Sequence, residues 1–380
     1  MKKGNEKIKM PSTATTTPGN LKQLLHDALG KLPSFDQCAL LDYPDHINIG
    51  DHLIWLGTIF YLTDILGTKI NYVSSLKDFS EIKMERKIGQ APILFHGGGN
   101  FGDFWPGSQE FRERIISKYQ DRPIIILPQS IYFSDENNLR RAASVFNSHP
   151  NLTLFTRDNH SHKLALQYFS NCQIIKSPDM AFQMVNMPGL SFSLNQKQSI
   201  LYHDRTDREL NETYSHISLD LPNLVVEDWP LYKYYKENSG KGLNKLMDRV
   251  FPEDNVIPSQ WLSRQSWKYF HPYAIKFNKL DKPSLHRKSW SYMHYGIYQF
   301  KQYPLIVTNR LHGHILCILL GIKHIFLPNA YYKNRFFHET WTHSIPFCRF
   351  IEDFSQIKSA VGELLELDPN EVYFQTLERK

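Results

Sequence analysis

"RPIIILPQS", residues 122–130, is a short apolar run that ends in polar residues. Two similar runs follow it, "LTLFTRD" at 152–158 and "CQIIKSPDMAF" at 172–182, and segments with helical spacing of apolar residues separate the three. Strands that are apolar on both faces and alternate with helices are typical of a parallel sheet covered by helices. This stretch therefore predicts an α/β fold.

The same alternation extends in both directions along the chain. Earlier runs read as strands in "QCALLDYP", "KINYVSS" and "APILF", and the pattern breaks in a loop-like stretch at 184–198. A second set then begins, with strands in "SILYH", "NLVVE", "PLIVTN" and "KHIFLPN". We predict two Rossmann-like, doubly wound lobes that face a cleft. The predicted boundaries are a tail at 1–20, an N-terminal lobe at 21–190, a C-terminal lobe at 191–365 and a tail at 366–380.

Length and composition exclude several classes of protein. A chain of 380 residues is long for one hydrophobic core, and 41% hydrophobic with 13% aromatic residues excludes wholesale disorder. The net charge of +6 is too modest for a nucleic-acid binder, but it suits an anionic small molecule or an anionic membrane surface. The four cysteines form no CxxC pair, so we expect neither a disulfide framework nor a zinc site. We also expect no membrane span and no signal peptide.

Polar residues at predicted strand ends are the candidates for a site, because ligands of open parallel sheets bind beyond the carboxyl ends of strands. Glycines 97–99 would let the backbone approach a ligand closely, although the pattern is neither GxGxxG nor a Walker motif. A structural turn, or helix capping by Asn48 or Asp51, is the alternative. The candidates in the first lobe are His46, Asn48, Asp51, Gly98, Gly99, Asn100, Gln129 and Arg157.

In the second lobe, "VTNRLHGHILCILLGIKH" at 307–324 places Arg310, His312 and His314 at the mouth of an apolar helix. Burying ionisable groups without partners is costly, so Arg310 and His312 indicate a cleft that holds an anion. The two histidines are two residues apart and do not face each other on a helix, which argues against a metal site. We expect His314 to be a core histidine. In "YHDRTDRE", Arg205 is a further candidate, with salt bridging to neighbouring aspartates as the structural alternative.

Taken in order from residue 36 to residue 345, these segments resemble the polysaccharide pyruvyl transferase family. The resemblance rests on the whole ordered set rather than on any single motif. The segments are "LDYPDHINIGDHLIW", "HGGGNFGDFWPGSQEFRE", "RPIIILPQSIYF", "LFTRDNHSHKLA", "SPDMAF", "YHDRTDRE", "VVEDWP", "TNRLHGHILCILLGI" and "NAYYKNRFFHETW".

The resemblance implies a GT-B-like fold and transfer of pyruvate from phosphoenolpyruvate to a sugar, as a ketal that bridges two hydroxyls. It implies that phosphoenolpyruvate is a co-substrate and that the reaction needs no cofactor and no metal. Arg310, Leu311 and His312 match the motif associated with donor binding and catalysis, and Arg205 resembles a second donor arginine. Lys333 is a candidate donor ligand, although Tyr332 stands before it where relatives often have glycine.

These residue types suit that chemistry. Arginine grips carboxylate and phosphate with two parallel hydrogen bonds, and a histidine can act as acid or base near neutral pH. We expect His312 to be the general acid or the partner of the leaving phosphate, with Arg310 stabilising negative charge. The first lobe would hold a saccharide acceptor, free or lipid-linked, in a cytoplasmic protein that could contact the inner membrane face. A GT-B glycosyltransferase with a nucleotide-sugar donor and a non-catalytic carbohydrate-binding protein are the alternatives.

Overall fold

The structure is a computed structural model that describes residues 16–187, 196–214, 219, 221–229 and 258–367. The first helix begins at Pro18, inside the predicted tail. The predicted lobe boundary at 190–191 and nearly all of the predicted C-terminal tail lie outside the described residues.

The first sheet has seven parallel strands in the order β2-β1-β3-β5-β6-β7, with β4 paired to β5 beyond the end of β3. The strands are β1 (Gln37–Leu41), β2 (Lys69–Ser74), β3 (Ile93–Phe95), β4 (Gly98–Gly102), β5 (Ile124–Tyr132), β6 (Leu152–Thr156) and β7 (Gln173–Lys176). The helices of this part are α1 (Pro18–Leu29), α2 (Ile49–Phe60), α3 (Glu81–Ile88), α4 (Pro106–Lys118), α5 (Glu136–Asn147) and α6 (Asn159–Tyr168).

The second sheet has five parallel strands in the order β12-β11-β10-β8-β9. The strands are β8 (Ile200–His203), β9 (Leu224–Glu227), β10 (Leu305–Thr308), β11 (Lys323–Phe326) and β12 (Cys348–Phe350). The helices are α7 (Pro258–Phe270), α8 (Pro272–Lys276), α9 (Pro283–Lys301), α10 (Leu311–Leu320), α11 (Lys333–Phe337) and α12 (Ile357–Glu366). The predicted parallel α/β class is confirmed.

Each sheet is covered on both faces, as a doubly wound fold requires. In β1, Leu40 contributes to one apolar cluster, whereas Ala39 and Leu41 contribute to another on the opposite face. Leu201 and Ile306 of the second sheet belong to the same cluster as Leu40. One continuous apolar core therefore joins the two sheets.

The glycine segment after β3 is a strand rather than the structural turn considered as the alternative. It forms β4, and Gly98 and Gly102 have φ angles of +132° and +133°. A Cβ atom on Gly102 would lie 1.6 Å from the carbonyl oxygen of Tyr132, so only glycine lets β4 approach β5 here. Helix α4 begins later, at Pro106.

Among the described residues, no helix combines the length and the apolarity needed to cross a bilayer.

Candidate functional site

A cavity of about 730 Å³ lies between segments that follow the strands of the two sheets. Eleven of the thirteen predicted site residues line it, namely His46, Asn48, Asp51, Gly99, Asn100, Arg157, Arg205, Arg310, Leu311, His312 and Lys333. The structure thus brings together side chains that are far apart in the sequence. Gly98 and Gln129 do not line the cavity.

Gln129 and Gly98 lie behind the cavity wall. Gln129 is fully buried, and its amide nitrogen donates to the carbonyl oxygen of His96 at 2.9 Å and to Oδ1 of Asn100 at 3.1 Å. A Cβ atom on Gly98 would meet the side chain of Ile54 at 3.5 Å. Both residues therefore shape the segment that carries His96 and Asn100 without facing the cavity.

Three cations from the second sheet's loops meet three carboxylates. Arg310 donates to both oxygens of Asp228, at 2.5 and 2.6 Å, and to Asp207 at 3.2 Å. Arg205 donates to both oxygens of Asp207, at 2.9 and 3.1 Å, and to Glu209 at 2.7 Å. The salt bridging considered as the structural alternative for Arg205 is therefore present with Asp207. Three of the five N–H groups of each guanidinium are engaged within the protein.

Lys333 completes this cluster, because its Nζ lies 2.6 Å from Oε2 of Glu209. Burial would raise the pKa of Glu209, but Lys333 and Arg205 outweigh burial and hold that pKa well below its usual range. Tyr332, just before Lys333, has a φ angle of +64°, in the left-handed region that glycine adopts most easily. Three positive and three negative side chains thus balance one another beside the cavity.

A second group links the two sheets through Asp179, which is fully buried. One oxygen of Asp179 lies 2.6 Å from Nη1 of Arg157 and 3.5 Å from Nε2 of His312. Burial would raise the pKa of Asp179, but His312 and Arg157 lower it well below its usual range. Sequence reasoning missed Asp179, although "SPDMAF" placed it just after a predicted strand.

Gly99 lies between two of the cations. A Cβ atom on Gly99 would lie 3.2 Å from Nη2 of Arg157 and 3.3 Å from Nζ of Lys333. Arg157 was predicted on the acceptor side and Lys333 on the donor side, yet the two side chains meet at this one glycine. Glycine thus lets the two positive groups come close to the backbone in the cavity wall.

His96 is a second residue that sequence reasoning missed. It lines the cavity with only 3% of its surface exposed, and neither ring nitrogen has a hydrogen-bond partner in the described part of the chain. Burial lowers the pKa of His96 to about 4, so its imidazole is neutral at pH 7. Its position at the end of β3 was the available signal.

The first sheet also presents carboxylates and carboxamides to the cavity. Asn100 donates to Asp42 at 2.8 Å, and Asn48 donates to Asp51 at 2.9 Å. Asn48 also caps α2, since its side-chain oxygen accepts from the N–H of Gly50 at 3.1 Å. The capping alternative is therefore correct for Asn48, which also lines the cavity. Such groups suit the recognition of hydroxyls.

His314 is fully buried, as expected of a core histidine. Its possible ligand atoms lie within 4.8 Å of those of His324 and Cys348. His324 donates from Nδ1 to the carbonyl of Ile322 at 2.8 Å, so its Nε2 accepts from His314 at 2.7 Å. The remaining nitrogen of His314 accepts from Thr342 at 2.9 Å. Neutral histidines satisfy one another here without a metal ion.

Comparison with known proteins gives the family. Residues 48–331 match the family model described as polysaccharide pyruvyl transferase. EpsO of Bacillus subtilis (strain 168), a protein named for pyruvyl transfer, is 31% identical over 342 residues, which span 89% of this chain and 95% of EpsO. Pyruvyl transferase 1 of Schizosaccharomyces pombe is 28% identical over 320 residues, 80% of this chain and 69% of that protein.

A crystal structure of a functionally uncharacterised protein from Klebsiella pneumoniae is similar in fold, with a TM-score of 0.52 and 18% identity. That similarity covers 90% of this chain and all of the other. The family match covers most of the chain, and EpsO is similar along nearly all of it. This chain therefore belongs to the polysaccharide pyruvyl transferase family and is a transferase.

Proposed function

We propose that this chain transfers pyruvate from phosphoenolpyruvate to a saccharide, forms a ketal across two hydroxyls and releases phosphate. The observation that carries the proposal is that the cations Arg157 and Lys333 meet at Gly99 in the wall of the cavity. His312, which pairs with Asp179, lines the same cavity. A small molecule with two anionic groups and a carbon that must be protonated fits this set of side chains.

We assign one anionic group of the donor to the space between Arg157 and Lys333. The other would lie against the cavity faces of Arg205 and Arg310, whose carboxylate partners fix the guanidinium planes before the donor arrives. Such preorganisation lowers the cost of ordering long side chains on binding. The role of Arg205 then combines binding with positioning.

The reaction balances without any redox partner. The oxygen of one hydroxyl bonds to the central carbon of phosphoenolpyruvate, and a proton adds to the methylene carbon, which becomes methyl. The second hydroxyl oxygen then bonds to the same carbon while the bond to the phosphate oxygen breaks. Of the two hydroxyl protons, one is matched by the proton on the methyl group and the other leaves with phosphate.

Two histidines with different surroundings could divide the proton transfers. Nε2 of His312 lies 3.5 Å from the carboxylate of Asp179, and we assign His312 as the acid that protonates the methylene carbon. His96 is neutral and has two unpartnered nitrogens, which suits a group that accepts a hydroxyl proton. This chemistry requires both an acid and a base at one cavity.

The saccharide, free or lipid-linked, would lie over Asp42, His46, Asn48, Asp51 and Asn100. In this arrangement residues 21–190 and 191–365 act as two GT-B-like lobes with the reaction between them. We place the reaction in the cytoplasm, where phosphoenolpyruvate is made, within the synthesis of an exported polysaccharide.

The direct test is incubation with phosphoenolpyruvate and candidate sugars, scored by phosphate release. Pyruvate that stays bound to the sugar, seen as a new methyl signal in NMR spectra, separates ketal formation from hydrolysis. His312→Gln should lower kcat by about 10²-fold or more, with a smaller change in the KM for phosphoenolpyruvate. The control is His343→Gln, because His343 is exposed and does not line the cavity. Unchanged kcat in the His312 variant would remove His312 from the chemistry.

Thermal-shift measurements with a panel of ligands distinguish phosphoenolpyruvate from the nucleotide-sugar donor of a glycosyltransferase. Phosphoenolpyruvate should raise the thermal midpoint, and the shift should be lost in Lys333→Ala. Stabilisation by nucleoside diphosphates with none by phosphoenolpyruvate would contradict the proposed donor.

A further inference from the structure

An exposed apolar surface lies outside the cavity, where α7 meets α8. Tyr269, Phe270 and Ile275 are 49%, 76% and 54% exposed, although the three lie within seven residues of one another. Phe270 is the most exposed large apolar side chain in the described part of the chain. Large exposed apolar groups that cluster in this way mark contact surfaces more often than chance exposure.

The same segment is strongly basic. Residues 258–288 contain seven lysines and arginines and one acidic residue, Asp281, so their excess of six matches the net charge of the whole chain. Asp281 is itself paired with Lys87 at 2.5 Å. The ring of Tyr269 lies between the charged groups of Lys268, at 5.3 Å, and Arg287, at 5.9 Å. Three of these lysines pair with aspartates outside the segment, namely Lys276 with Asp64, Lys282 with Asp78 and Lys288 with Asp45, and Arg264 is buried. Lys268, Lys279 and Arg287 therefore supply the positive charge of this surface.

The inner side of this segment is rigidly held. Trp267 and Trp290 stack at 4.8 Å, and each indole N–H donates to the carbonyl oxygen of the other residue, at 3.1 and 3.0 Å. This reciprocal contact fixes α7 against α9. The chain thus holds Tyr269 and Phe270 outward from an ordered base.

We propose that this surface docks on a bilayer that contains anionic phospholipid. Phe270, Tyr269 and Ile275 would enter the interface while Lys268 and Lys279, which have no acidic partner among the described residues, contact the headgroups. Charge complementarity favours this occupant, and the exposed phenylalanine favours it over an acidic soluble protein. Lys288 lies 3.8 Å from Asp45, which lines the cavity, so docking would bring the cavity rim near the membrane.

Flotation of the full chain with vesicles tests the proposal without any substrate. We expect binding to vesicles of phosphatidylcholine with phosphatidylglycerol, little binding to phosphatidylcholine alone, and release by salt. The double variant Phe270→Ser/Ile275→Ser should bind at least about tenfold more weakly, because the apolar anchors are lost. Lys268→Glu/Lys279→Glu should also lose about tenfold or more.

The matched control is Ile82→Ser, which removes an equally prominent apolar side chain, 70% exposed, from α3. It should bind as the unaltered chain does, and all variants should keep its thermal midpoint. Absence of binding to anionic vesicles, or equal binding to neutral ones, would overturn the proposal. Loss of binding in the charge variant, with full binding in the Phe270→Ser/Ile275→Ser variant, would also overturn it, because the chain would then adsorb to headgroups by charge alone without inserting its apolar side chains. None of these results depends on whether phosphoenolpyruvate is the donor.

Discussion

Gly99 matters for the side chain that it lacks. A methyl group there would lie 3.2 Å from the Arg157 guanidinium and 3.3 Å from the Lys333 ammonium, in the space assigned to the donor's anionic group. We expect Gly99→Ala to raise the KM for phosphoenolpyruvate about tenfold or more, because the methyl group excludes the anion and costs at least about 1.4 kcal/mol of binding. Its thermal midpoint should change little. Calorimetric titration with phosphoenolpyruvate checks this, and an unchanged affinity would place the donor elsewhere.

At the same scale, the sequence could predict which residues line the cavity but not how they pair. Residues that follow predicted strands could be predicted, because the carboxyl ends of parallel strands meet at one edge of a sheet. Examples are His46, Asp51, Arg157 and His312. The link from Arg157 through Asp179 to His312 joins both sheets, so no local pattern reveals it. The unpartnered state of His96 is likewise a result of packing.

Helix α2 approaches α10 closely because Gly50 faces His312. A Cβ atom on Gly50 would lie 2.5 Å from both Cβ and Nδ1 of His312. Gly50→Ala should therefore push the helices apart and displace His312, although alanine in a helix is favoured by about 1 kcal/mol over glycine. We expect lower kcat and a lower thermal midpoint. The matched control is Gly362→Ala in α12, where nothing lies within 4 Å of the new atom and the midpoint should hold or rise. A wild-type kcat in the Gly50 variant would show that catalysis does not depend on the position at which α2 holds His312.

Strands and helices with a regular apolar period could be predicted from the sequence. Elements that form only because neighbouring parts of the chain pack against them could not. β5 is buried along nearly its whole length, which its apolar run indicated. β4 consists mostly of glycine and asparagine with one buried Phe101, so it carries no strand pattern and exists because glycine fits beside β5. α11 spans only five residues and begins after the left-handed Tyr332.

The whole molecule buries many neutral histidines between its sheets and helices. His286 shows why they stay neutral: its Nδ1 accepts from the indole N–H of Trp55 at 3.1 Å, and its Nε2 donates to the carbonyl of Asp281 at 2.8 Å. Since an indole N–H can only donate, a proton on Nδ1 would break that bond. The shared core joining both sheets thus carries a built-in sensitivity to acid, which composition alone could not indicate.

Burial lowers the pKa to about 3 for His52 and His203 and to about 4 for His286 and His324, against 6.5 in an exposed imidazole. Because the folded state binds fewer protons, their stabilising contribution is fully present above pH 6.5 and is lost as pH falls toward 4. Each such histidine accounts for up to about 1.4 kcal/mol of unfolding free energy per pH unit in that window.

Urea unfolding should give a free energy of unfolding at least about 2 kcal/mol lower at pH 5 than at pH 7.5. His286→Asn, which cannot be protonated but can still accept from Trp55, should weaken this dependence, whereas the exposed His343→Gln should not. Equal free energies of unfolding at the two pH values would mean that these imidazoles are protonated, or reach water, in the folded chain.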